Sequence, residues 1–182
     1  MKNKVIVVVD MQNDFVSGVL GSEDPKSAVS KIRNLLDKFT YPDPYCLDKK
    51  HIVFTQDTHN EYYLSTHEGK LLPIVHCVKN TPGWCIVDEL FQYAGHRIIE
   101  KSGFGCVTWR QYFDDVFTPD EITIVGVCTD ICVVSNALIL RALYRNADIK
   151  VIADCCAGTT KEKHDAALKV MESCQIEIIY RE

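Results

Sequence analysis

The sequence predicts an α/β fold: a doubly wound, mostly parallel six-stranded sheet flanked by helices, of the Rossmann-like kind. Three observations carry this. Six short β-branched runs recur along the chain. They are apolar on consecutive residues rather than alternate ones, as strands buried on both faces require. Helical patterns separate several of them, and strand–helix–strand crossovers build parallel sheets.

The predicted strands are VIVVV (5–9), HIVFT (51–55), RIIEK (97–101), EITIVGV (121–127), DIKVIA (148–153) and IEIIY (176–180). The first predicted helix, SAVSKIRNLLDKF (27–39), has apolar residues at 28, 29, 32, 35, 36 and 39. That spacing puts one apolar stripe on one face. DICVVSNALILRALYRN (130–146) and KEKHDAALKVMESC (161–174) follow the same rule. No Gly/Ser-rich linker, repeat or low-complexity stretch interrupts them, so residues 1–182 are expected to form one domain. The long unpatterned stretch, 56–96, is rich in His, Tyr, Pro and Gly. A loop of that length in a compact domain is usually functional.

The chain has 182 residues, 47% of them apolar, enough for one sizeable core. A net charge of −5 argues against nucleic acid or an anionic membrane as partner. No apolar run reaches the ~20 residues that span a bilayer. The start, MKNKVIVVVDMQND, lacks a small-residue cleavage site and turns acidic at once, so it reads as a strand rather than a signal peptide. Nine cysteines is an odd count, which a complete disulfide framework would not use up. A reduced, cytoplasmic setting is the expectation, with most thiols acting as small core hydrophobes.

Ligands of open α/β sheets bind beyond the carboxyl ends of the strands. There the sequence offers Asp10 in DMQNDF, Asp57 and His59 in QDTH, Lys101, and the thiols Cys128 and Cys132 in CTDIC. Singly, each has a plain alternative: Asp10 caps a turn, Lys101 is a solvated amine, Cys132 packs in the core. Jointly, a carboxylate, an amine and a thiol in one crevice suit nucleophilic catalysis. Thr129 or Asp130 is expected to cap the following helix, placing Cys132 in its first turn. The helix N-terminus and a lysine on the neighbouring strand would then favour a thiolate. Cys128, in the turn itself, reads as a backbone donor. Asp57-x-His59 sets two donors on one side of an extended segment, and His76 can close a three-donor site for Zn²⁺, Mn²⁺ or Fe²⁺. Glu68 and His67 are further candidates. Cys77 should point away from His76 and pack.

In order along residues 4–180, DMQNDF, QDTH, PIVHCVKNTPGW, EK and GVCTDICV resemble the isochorismatase-like cysteine hydrolases, most of all the nicotinamidases. The resemblance implies a catalytic triad of Asp10, Lys101 and Cys132. It also implies an oxyanion hole from the N–H groups of Cys128 and Cys132, and a cis peptide at Val127–Cys128. One divalent metal, most often Zn²⁺, would be held by Asp57, His59 and His76, with Glu68, and behind it Ser65, as an additional ligand. Many nicotinamidases carry a tryptophan shortly before the HC; KLLPIVHC has none. Phe15, Val127 and Phe104 are the expected pocket residues, with Trp84 a further substitute for the missing ring.

The activity so implied is hydrolysis of nicotinamide to nicotinate and ammonia through a thioester. A nearby alternative is another small carboxamide such as pyrazinamide. An alternative of a different class is a non-enzymatic metal- or redox-responsive protein, for which the adjacent Cys155 and Cys156 give some basis. Their plain reading is packing and turn structure after the fifth strand. A homo-oligomer is compatible with the sequence, with Trp109 among the aromatics available to an interface. His51, His96 and His164 read as structural or solvated.

Overall fold

The computed structural model describes residues 2–40, 49–95, 97–113 and 117–180. His96 lies outside the described residues. In chain order the elements are β1 (Asn3–Val9), α1 (Asn13–Val16), α2 (Glu23–Thr40), β2 (Lys49–Asp57), α3 (His67–Leu71), α4 (Asp88–Ala94), β3 (Ile98–Lys101), α5 (Trp109–Phe113), β4 (Glu121–Val127), α6 (Val134–Leu143), β5 (Asp148–Ala157), α7 (Lys161–Ser173) and β6 (Glu177–Ile179).

The strands form one six-stranded sheet in the order β3-β2-β1-β4-β5-β6. Every pairing is parallel. The order reverses between β1 and β4, so the crevice beyond these two strands is the switch point at which doubly wound sheets bind ligands.

The consecutive apolar run of β1 is explained by its two faces. Val5, Val7 and Val9 join a core with Trp109, Leu140 and Met171. Ile6 and Val8 join a core on the other face with Ile32, Leu36 and Leu90. Each fully buried Val or Ile contributes about 2 kcal/mol of transfer free energy. In α2, Ala28, Val29, Ile32, Leu35 and Leu36 are buried, as their spacing requires. The helix begins four residues earlier than the predicted start at Ser27. Glu23 and Asp24 complement its dipole, and Pro25 is tolerated in the first turn.

Several expectations are corrected. The 56–96 stretch is not a bare loop: it holds α3, α4 and 3₁₀ turns at Tyr63–Ser65 and Pro82–Trp84. Their few residues each are too short for a readable periodicity. Trp109 is fully buried, and its indole N–H donates to Asn136 Oδ1 at 3.1 Å, so it serves no interface. Cys155 and Cys156 lie within β5, not in a turn. They alternate across the strand, Cys155 into one core and Cys156 into the other. Gly126, at φ +121°, lets β4 pass β1 so closely that a Cβ there would sit 2.1 Å from the Val9 carbonyl oxygen. The strand register shifts at this point, just before the turn that carries Cys128.

Candidate active site and metal centre

Asp10 follows the last residue of β1 and is fully buried. Its N–H donates to the Thr55 carbonyl at 3.3 Å, and Thr55 Oγ1 donates to its Oδ1 at 2.6 Å. Lys101 ends β3 and is also buried, with Nζ 2.6 Å from Asp10 Oδ2, 3.4 Å from Asp57 Oδ1 and 3.6 Å from Cys132 Sγ. The expectation that Lys101 stands on the strand beside the thiol is corrected. β3 is the sheet edge, with β2 and β1 between it and β4, and the lysine stem reaches across them.

Burial would lower the lysine's pKa, but Asp10, Cys132 and Asp57 together raise it well above the ordinary range. Burial raises Asp10 while Lys101 opposes the rise. Burial, then Asp10, pushes the Cys132 thiol well above its usual value, and Lys101 offsets this only in part. Burial thus works against the expected resting thiolate, and Asp10 is the carboxylate beside the thiol.

The capping expectation also fails, for a local reason. Thr129–Val133 is a π-turn leading into α6, with Cys128 at its N-cap, and no side chain caps it. Cys128 carbonyl accepts from Ile131 N–H and Val133 N–H at 3.1 and 3.0 Å. Asp130 turns away to accept from Thr159 N–H at 2.8 Å and Thr159 Oγ1 at 2.6 Å. Thr129 Oγ1 bonds His164 Nδ1 at 2.8 Å. These three bonds tie the thiol-bearing turn to the β5–α7 connection and to α7 itself, and none was legible in the sequence. From within α6, Asn136 donates to the Cys132 carbonyl at 2.8 Å. The Val127–Cys128 peptide is cis, as expected.

Asp57 Oδ2 lies 2.9 Å from His59 Nε2 and 3.6 Å from His76 Nε2. One donor atom from each of the three residues falls within 4.8 Å of the others, and all three residues are buried. His76 Nδ1 donates to the Ile74 carbonyl at 2.8 Å, which leaves its Nε2 lone pair facing the cluster. His59 Nε2 is buried and makes no hydrogen bond despite its proximity to Asp57. Three donors that converge without bonding one another, one of them orphaned, fit a divalent cation. Burial would raise Asp57, but the adjacent His59 and His76 imidazoles and the charge of Lys101 hold it well below the usual carboxylate range. Glu68 Oε1 stands 3.8 and 3.9 Å from the two imidazole Nε2 atoms, at the margin of the cluster. Ser65 is exposed and donates to the Tyr62 carbonyl, and His67 is exposed, so neither joins it. Cys77 is fully buried in the core, as expected.

Between these two groups lies a cavity of about 330 Å³, lined by Asp57, His76, Cys128 and Cys132 and by apolar walls from Phe15, Leu20, Leu72, Phe104 and Ile131. Of the expected pocket residues, Phe15 and Phe104 line it. Val127 does not: its side chain is fully buried in the sheet core. Trp84 faces elsewhere, its indole N–H donating to Thr58 Oγ1 at 2.9 Å.

A parallel sheet with a carboxylate, an amine and a thiol in contact near its switch point brings together the group types that nucleophile-and-base hydrolysis requires. A family model described as the isochorismatase domain matches residues 4–182, and the chain belongs to that family of hydrolases. It is 26% identical to the nicotinamidase/pyrazinamidase of Mycobacterium tuberculosis over 190 residues, which cover 97% of this chain and 98% of that protein. It is 30% identical to the nicotinamidase of Saccharomyces cerevisiae over 177 residues, 74% of this chain and 80% of that one. Among solved structures, the pyrazinamidase of Pyrococcus horikoshii in complex with zinc superposes with a TM-score of 0.80 at 28% identity, covering 98% of this chain and 99% of that one. No described helix is long and apolar enough to cross a membrane.

Proposed function

We propose that this protein is a metal-assisted cysteine amidohydrolase, most specifically a nicotinamidase, built as one domain over residues 1–182 and working in the cytoplasm. The observation that carries the reading is the contact of Lys101 with both Asp10 and Cys132, where Cys132 lines an apolar cavity that Asp57 and His76 of the three-donor cluster also line. The nicotinamidase relatives and the zinc complex of a pyrazinamidase support it.

A zinc ion held by Asp57, His59 and His76, with Glu68 at its margin, would supply a Lewis acid at the cavity wall for a ring nitrogen of the substrate. The chain's own residues account for the rest. Phe15, Phe104 and Leu72 enclose the ring and exclude water. Asp10 takes the Cys132 proton as Sγ bonds to the carboxamide carbon. The backbone N–H groups of Cys128 and Cys132 receive the oxyanion, and one such donor is worth about 3–4 kcal/mol. Asp10 returns the proton to the departing nitrogen, which leaves as ammonia. The resulting thioester is opened by water that Asp10 deprotonates. The thiolate leaves and takes the proton back, and the acid is released. Lys101 stays charged throughout and keeps Asp10 oriented.

Pyrazinamide carries the same carboxamide and a ring nitrogen in the same position, so the same cavity would accept it. The redox-responsive alternative loses its basis, because Cys155 and Cys156 face opposite sides of the sheet. The test compares ammonia release from nicotinamide, pyrazinamide and an aliphatic amide. Turnover confined to the ring amides supports the reading, and negligible turnover of both ring amides overturns it.

A further inference from the structure

Gln12 is fully buried, and its side-chain amide makes three hydrogen bonds, two to the end of β2 and one to the loop beside it. Oε1 accepts from Asp57 N–H at 2.7 Å. Nε2 donates to the Asp57 carbonyl at 2.9 Å and to the Trp84 carbonyl at 2.8 Å. Flipping the amide would set its NH₂ against an N–H and its oxygen against two carbonyls, so its orientation is fixed by its partners.

The need for this bond set follows from where β1 stops. Its register with β2 runs from Asn3–Lys49 to Val8–Phe54. At Asp10 the backbone turns at φ +49°, Gln12 N–H donates back to the Asp10 carbonyl at 2.7 Å, and Gln12 bridges antiparallel to Ile86. β2 continues to Asp57 with no β1 backbone beside it. On its other side Asp57 pairs with Lys101 of β3. The primary amide of Gln12 has the donor and acceptor of a peptide group, and it meets both polar groups of Asp57 as a neighbouring strand would.

We propose that Gln12 is the positioning residue of the metal centre: its amide supplies the missing rung of the β ladder at Asp57 and so fixes the Asp57 carboxylate relative to His59 and His76. This rests on the reading of those three residues as the zinc ligands. With the Asp57 backbone held on both sides, only the two short side-chain torsions, χ1 and χ2, are left to place Oδ2 between the two imidazoles. Gln56 makes an internal control. It is also buried and its Nε2 donates to the same Trp84 carbonyl at 2.8 Å, but it does not touch the Asp57 backbone groups.

The experiment titrates zinc(II) into metal-stripped protein against a chromophoric chelator, with a thermal melt of each sample to report folding. Gln12→Met is expected to bind zinc at least tenfold more weakly than the wild type, the range in which lost outer hydrogen bonds weaken metal sites. Gln56→Met is expected to bind within about threefold of wild type, since it leaves the ladder rung intact. If Gln12→Met does not fold, Gln12→Asn keeps the amide but withdraws it by one methylene and is expected to show the same loss. A folded Gln12 variant that holds zinc as tightly as wild type overturns the inference, as does an equal loss in Gln56→Met. If wild-type protein itself binds no zinc, the proposed metal centre fails instead, and the inference with it.

Discussion

Lys101 Nζ and Asp10 Oδ2 form a buried ion pair 2.6 Å apart, joining the edge strand β3 to the switch point of the sheet. The side chains are 3% and 0% exposed, so water screens neither charge. Removing one member of such a pair strands the other, which costs about 3–5 kcal/mol. Lys101→Met should therefore lower thermal stability sharply as well as abolish turnover. Adding Asp10→Asn to it should recover much of the stability and none of the activity. A melting curve of the single and double variants checks this; equal melting temperatures for Lys101→Met and wild type would show that the pair is not a buried charge pair in solution.

The two thiols of the CTDIC turn are expected to behave unequally. Burial, then the charges of Asp130 and Asp10, pushes Cys128 up to about 12. At pH 8.5 that leaves Cys128 overwhelmingly protonated. Iodoacetamide at that pH should label the exposed Cys85 and Cys174 long before Cys128. Cys128→Ala should retain turnover within about threefold, because the proposed mechanism uses only its backbone N–H. Peptide mass mapping and ammonia assay measure the two outcomes. Loss of turnover in Cys128→Ala would assign its side chain a role that the geometry does not.

Metal removal should cost both activity and stability. A ligand that binds only the native state stabilises it by about 4 kcal/mol at a thousandfold excess over its Kd. Stripping with a strong chelator should therefore lower the melting temperature, and stoichiometric zinc should restore it together with turnover. If the stripped protein melts at the holoenzyme's temperature and keeps full turnover, Asp57, His59 and His76 do not form a working metal centre.

Asp130 holds the thiol-bearing turn to Thr159, which lines the cavity. Asp130→Ala removes both bonds and leaves the buried metal cluster untouched. The expected result is a fall in kcat of tenfold or more with zinc affinity unchanged, since a misplacement of about 1 Å at a reacting atom can cost a hundredfold. Asp130→Asn keeps an acceptor and should recover part of the rate. Steady-state kinetics with a zinc titration on the same variants separates this from general unfolding, which would lower both.

The strands and the order of the chemistry-bearing residues were legible because each depends on local pattern. Val5–Val9 declares a strand covered on both faces, and Asp57-x-His59 declares two donors on one side of it. What was not legible depends on residues far apart in the chain. Asp130 looks like a helix cap until the π-turn forms and Thr159 takes its carboxylate. Lys101 reads as standing on the strand next to the thiol, whereas it reaches the thiol from the sheet edge, across two strands. Trp109 looks available to a partner because nothing nearby announces that Asn136 will receive its indole N–H. Gln12 sits inside the quoted DMQNDF motif, but its bonds to Asp57 exist only because β1 ends at Asp10 and leaves β2 one rung short. The environment of Cys132 was only half legible: helix position and one lysine can be read locally, but the burial that raises the thiol comes from the whole fold.

The central claim is that Cys132 attacks an amide carbon in a site that Asp57, His59 and His76 help to form. Ammonia release from nicotinamide by wild type and Cys132→Ala, with zinc counted on both samples, tests it most directly. The account predicts turnover in the wild type, none detectable in Cys132→Ala, and close to one zinc per chain in each. Ammonia release by Cys132→Ala at a rate near that of wild type would contradict it.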